Sequence, residues 1–205
     1  MNATFAPWDL HPDLTAARLQ GIASIIRKVR SEAARTHEPS HGDDAWVLGC
    51  RGYMRTCFAL KSAAADGLHG IVIHQNAHVG FVFALGDSPP LRFYRGEPDE
   101  PPSRTLRRTF PELRWTQLGL QLNGLMVPGL LRLAVELQDS GEVDQVTLVQ
   151  LTEEGTILNR YEIGQVEETK TQVTSFPAAL KAGIEIPEPS VLDTDMEQET
   201  KTDEE

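Results

Sequence analysis

Between positions 92 and 115 the arginines Arg92, Arg95, Arg104, Arg107, Arg108 and Arg114 are interleaved with Phe93, Tyr94, Phe110 and Trp115. A guanidinium is a planar fork of donors that grips a carboxylate or phosphate through parallel bonds, and an aromatic ring beside it offers a face for stacking. The same residue types dominate the energetic centres of protein–protein contacts. Glu97, Asp99, Glu100 and Glu112 dilute the cluster to a net charge of about +2, which favours a protein contact over a run of backbone phosphates. Arg92, Tyr94, Arg95, Arg104, Arg107, Arg108 and Trp115 are therefore expected to bind a protein partner, with nucleic acid the lesser candidate and ordinary solvated arginines the commonplace alternative.

Two other groups could do chemistry. His69, His74 and His78 lie within ten positions, and a hairpin could bring His74 and His78 to one metal with a carboxylate from the loop at 97–100. They flank a strand and a turn, without the paired spacing of a zinc motif, so solvated turn histidines are the simpler expectation. Cys50 and Cys57 stand seven apart in a helical pattern, roughly 10 Å between α-carbons and too far for a disulfide. On an apolar stripe they read as small buried hydrophobes rather than nucleophiles. The chain carries no P-loop, dinucleotide fingerprint, nucleophile elbow or kinase signature, so no catalytic residue, metal or cofactor is assigned.

These residues must be positioned by a particular order of elements. Leu14, Leu19, Ile22, Ile25, Ile26, Val29 and Ala33 repeat at helical spacing, with Arg18, Arg27, Lys28 and Arg30 largely on the other side, and Pro12 suits a first turn. A second helix starts after Asp43 or Asp44, where Trp46, Cys50, Tyr53, Cys57, Leu60 and Ala64 form a stripe expected to face the core. Gly49 and Gly52 on that helix predict a close crossing with another backbone. Short runs rich in β-branched and aromatic residues follow at 71–74, 79–85 and 91–94, joined by loops that fit antiparallel hairpins. The prolines at 98–102 predict a surface excursion with a helical turn from Ser103, halted at Phe110-Pro111. Further strands are expected at 117–122, 131–137, 143–151 and 156–163, the last three as a meander. Leu131, Leu133, Val135 and Leu137 alternate with Arg132, Ala134 and Glu136, so one face of that strand should be dry and the other wet or lightly covered.

The fold class is α+β: two N-terminal helices on a largely antiparallel sheet, a short helix at 175–183 and an acidic tail. The chain of 205 residues has a net charge of −11. Nine acids against Lys201 from Glu185 onward place about −8 of it in the tail, and the body is nearly neutral. A single domain over 1–184 and a disordered acidic tail over 185–205 are expected. No apolar run reaches the roughly 20 residues of a membrane helix, and the N-terminus lacks the features of a signal peptide, so a cytoplasmic protein with no membrane partner is expected.

The run Phe81-Val82-Phe83-Ala84-Leu85-Gly86, continued by Leu91 to Pro102 and by Arg108-Thr109-Phe110-Pro111-Glu112-Leu113, resembles a group of bacterial proteins. These are similar to the small partners of regulators that join a helix-turn-helix to an ImmA/IrrE-type metallopeptidase, an arrangement associated with toxin–antitoxin modules and phage defence. The resemblance covers 46–163 and carries no catalytic residue. It implies a component, the toxin, of a two-gene module whose partner protein is encoded nearby. Two alternatives come from the residues: an enzyme processing nucleotides or nucleic acid through the arginine segment with His74 and His78, and a small-ligand binding module.

Overall fold

The computed structural model describes residues 5–76, 80–121 and 129–164. They all belong to one compact unit, Met1–Glu167. The expected helix at 175–183, the tail at 185–205 and His78 lie outside the described residues.

A short helix, α1 (Pro7–Leu10), precedes α2 (Ala16–Arg35) and α3 (Ala45–Ala65). Thr15 caps α2 by accepting from the Arg18 amide, so Pro12 lies in the turn before the helix rather than in its first turn. Asp44 caps α3 through the Val47 amide at 2.8 Å. Then come β1 (Ile71–Gln75), β2 (Val82–Leu85) and β3 (Leu91–Arg95), the excursion with α4 (Ser103–Leu106) and α5 (Phe110–Gln121), and β4 (Leu130–Leu137), β5 (Val143–Leu151) and β6 (Ile157–Glu162).

The fold is α+β, with one six-stranded sheet in sequential order β1 to β6. Every neighbouring pair is antiparallel except β3 and β4, which run parallel from Leu91 beside Leu131 to Arg95 beside Val135. Parallel neighbours need a long crossover, and the excursion supplies it. Leu19, Ile22 and Ile26 of α2 with Leu60 of α3 bury one face against Phe83, Leu91, Leu133 and Leu148.

The opposite face is not wet. Leu130, Ala134, Val149 and Leu151 form a second core with Tyr94, closed by Leu106 and Ile157. Alternation identified the two faces of β4 correctly, but Arg132 and Ala134 are fully buried because the excursion folds back over them. The strand expected at 117–122 is also corrected: through Gln121 the chain is helical, as part of α5. Pro111 falls in the first turn, where its missing donor costs nothing. The Glu112 carboxylate accepts from the Thr109 amide at 2.6 Å and from its hydroxyl at 2.7 Å, one arm of a capping box, and this starts a helix where a stop was expected.

The Glu112 carboxylate also pairs with Arg132, and both are buried. Arg132 donates through Nε to the Thr105 carbonyl at 2.8 Å. One ionic group thus ties α4, α5 and β4 together. Burial pushes the Arg132 guanidinium below the usual arginine range, and the Glu112 charge opposes that push.

Candidate functional site

β2 and β3 pair at a single position, Phe83 with Leu91. Beyond it the strands part, and Gly80 and Phe81 face Phe93, Tyr94 and Arg95 across a pocket of about 400 Å³. Consecutive residues of β3 reach this space because the strand edge is open there. α3 roofs it with Ala45, Trp46, Gly49, Cys50, Tyr53 and Met54, α2 contributes Arg30, and α4 contributes Arg104 and Thr105.

Four arginines, Arg30, Arg92, Arg95 and Arg104, line the pocket, and no carboxylate does among the described residues. Arg30 is only 5% exposed, and its buried Nη1 has no hydrogen-bond partner. Desolvation first, and the Arg95 charge second, push it below the usual arginine range. Among the described residues no hydrogen bond or ion pair holds the guanidinium of Arg95 or of Arg104. Arg92 donates to the Arg107 carbonyl at 3.0 Å.

The two helix glycines make room for these side chains. A Cβ at Gly52 would collide with the Arg30 guanidinium, and one at Gly49 would lie 3.7 Å from Arg95 Nη1. The expected close crossing of α3 is real in its steric demand, but side chains occupy the space rather than another backbone.

Aromatic rings form the remaining wall. Tyr53 lies tilted on Phe93 at 5.2 Å between centroids, and Phe93 meets Phe81 edge-on at 6.3 Å. The Phe81 amide donates to the Tyr53 hydroxyl at 3.4 Å, tying the roof to β2. Trp46 stands 73% exposed.

The structure divides the seven residues expected to bind a partner. Arg92, Tyr94, Arg95 and Arg104 meet at the pocket. Tyr94 is itself buried, with its hydroxyl directed at the carbonyls of Glu97 and Pro98 and its acidity weakened, to a pKa of about 12, chiefly by burial. Arg107 and Arg108 line a separate, more open depression of about 710 Å³ beside α4 and α5. There Arg108 is taken by Glu153 and by Thr116 at 2.6 Å. Trp115 is half-buried, edge-on to His11 at 6.2 Å.

Three placements correct the sequence. Trp46 and Cys50, expected in the core, are exposed, because no residue of α3 before Gly52 is buried. Arg30, expected on the polar side of its helix, is buried and central. Its signal was the Gly49/Gly52 spacing on the neighbouring helix. His74 is exposed on β1 and does not line the pocket, while His69 packs its ring on Gly21. Among the described residues no three His, Cys, Asp or Glu side chains gather where they could hold a metal ion, and no helix is long and apolar enough to cross a membrane.

Fold and site together define an α+β protein with a cationic, aromatic-walled cleft at a parting in its sheet. Comparison with family models, curated proteins and solved structures finds no match to this chain.

Proposed function

We propose that this protein is a binding module for a small anionic ligand with a planar apolar portion, held where β2 parts from β3 beneath α3. The observation that carries it is Arg30, a buried guanidinium with an unpartnered Nη1 in a cleft that three further arginines share. A buried donor left without an acceptor costs about 1–3 kcal/mol, and more when charged. An incoming anion removes that penalty, and the ring-lined wall receives the rest of the ligand. Thermal unfolding with acetate, benzoate and inorganic phosphate, each against sodium chloride at equal ionic strength, tests this. At a hundred times its dissociation constant a ligand stabilises by about 2.7 kcal/mol. If none of these anions raises the melting temperature above the chloride control, the proposal fails.

A second reading is favoured by Phe110 and Leu113, exposed at 74% and 47% on the excursion. Apolar side chains beside Arg107 suit a protein contact. In this reading the chain is the toxin of a bacterial two-gene module in the cytoplasm, and its partner is a helix-turn-helix/metallopeptidase regulator encoded nearby. Growth arrest on expression, relieved by the neighbouring protein with both recovered as a complex, is the expected result; harmless expression without a complex removes the reading.

A further inference from the structure

Guanidiniums gathered around one cleft repel one another, and an anion that bridges them relieves that repulsion best when it carries several acceptors and more than one negative charge. Arg30 lines the cleft with a buried guanidinium whose Nη1, packed on Gly52, has no acceptor, and the guanidiniums of Arg95 and Arg104 are held by no other described residue. A carboxylate brings one charge and two oxygens. A phosphate monoester brings a charge of about −1.5 to −2 near neutral pH and three terminal acceptor oxygens, one for each of these arginines. Arginine forks also match phosphate geometry through parallel bonds.

The rest of the cleft limits what the phosphate is attached to. Tyr53, Phe81 and Phe93 pack on one another along one wall, with Phe81 and Phe93 buried, and Trp46 lies at its α3 side with most of its indole exposed. Such walls suit a flat ring, since stacking on an aromatic side chain stabilises a base of any sequence. The volume, about 400 Å³, lies near the small end of the range of roughly 300–1,000 Å³ for organic ligands. It takes one nucleotide-sized molecule and not a strand.

We infer that the ligand is a phosphate monoester of a planar ring system, of the class of a nucleoside monophosphate, with its phosphate among Arg30, Arg95 and Arg104 and its ring on the Tyr53–Phe93 wall. This rests on the anion-binding reading above. Calorimetric titration of the full chain with adenosine monophosphate, uridine monophosphate, adenosine, inorganic phosphate and benzoate tests it. The expected result is that a monophosphate binds at least tenfold tighter than inorganic phosphate or adenosine. Arg104→Ala, a change at an exposed site that leaves the core untouched, should weaken it at least tenfold, and Arg30→Met should abolish it. Benzoate binding tighter than either monophosphate would overturn the phosphate assignment and leave the anion pocket standing. Inorganic phosphate binding as tightly as the monophosphates would overturn the planar ring. Binding unaltered by both substitutions would overturn the placement, and the absence of binding by every anion would remove the anion pocket itself.

Discussion

Arg30 puts a charge where an unbranched apolar side chain would pack without desolvation. Arg30→Met should therefore leave the ligand-free protein as stable as before or more stable, by about 1 kcal/mol, which urea denaturation would read. Arg132 behaves in the opposite sense, because its charge is already paired. Removing the partner in Glu112→Ala leaves a fully buried guanidinium uncompensated, and a loss of about 3–5 kcal/mol is expected by the same method. The two cysteines differ as sharply. Cys57 is buried, with its thiol pushed up to about 11 by desolvation, while Cys50 is exposed. A thiol reagent at about pH 8 should label Cys50 in the native protein and Cys57 only after denaturation; two rapid reactions in native conditions would contradict the packing of α3.

At the scale of elements, the sequence was legible wherever one periodicity had one cause. α2, α3 and all six strands announce themselves by apolar spacing and by cap residues such as Asp44. β2 proves shorter than its apolar run suggested. The failures come from residues serving two neighbours at once. The α3 stripe runs unbroken from Trp46 to Ala64, yet a helix of 21 residues is about 31 Å long, and its first half extends past the helix-facing core to roof the pocket. No pattern within α3 says where the core ends. The excursion misled differently, since Phe110-Pro111 reads as a stop until Thr109 and Glu112 are seen as a capping pair. Arg132, read as wet or lightly covered, is fully buried because a segment distant in sequence covers it, and alternation cannot report what lies above a strand. The turn into β4 also supplies a test. Gly129 adopts φ +83°, and a Cβ there would collide with the Leu151 carbonyl. Gly129→Ala should destabilise by about 1–3 kcal/mol in chemical denaturation; an unchanged midpoint would contradict this approach of the chain to β5.

Over the whole molecule, Asp13 joins the entry to α2 with the turn between β2 and β3. Its carboxylate accepts from the Asp87 amide at 3.0 Å and pairs with Arg18. The Asp87 bond first and the Arg18 interactions second hold its pKa below the ordinary aspartate value of 3.8, against a smaller effect of burial. The unfolded chain therefore takes up this proton at higher pH than the folded one. The stabilisation is fully present above the ordinary aspartate range and is lost as pH falls through the lowered folded value. Asp13→Asn should lower the urea midpoint near neutral pH, and the difference from the parent should shrink as pH falls below about 4. A difference independent of pH would mean that the carboxylate's charge is not what stabilises the turn. Sequence could not have paired Asp13 with Asp87, because their meeting depends on how the sheet lies against α2.

The single pairing of Phe83 with Leu91 also bears on how the protein opens. α3 packs on β1, which pairs only with β2, and α2 packs on β5 within the more extensively paired β3 to β6, while the two helices pack more extensively on each other than either does on the sheet. The sheet is thinnest in hydrogen bonds where the pocket lies, so β1 and β2 are the strands that part from it most cheaply, while α3 stays packed on α2. In native-state hydrogen exchange the amides of β4 and β5 should open only with global unfolding. Those of β1 and β2 should exchange through a cheaper sub-global opening, and a ligand seated across the parting would slow that opening and leave the slowest amides to report its binding free energy.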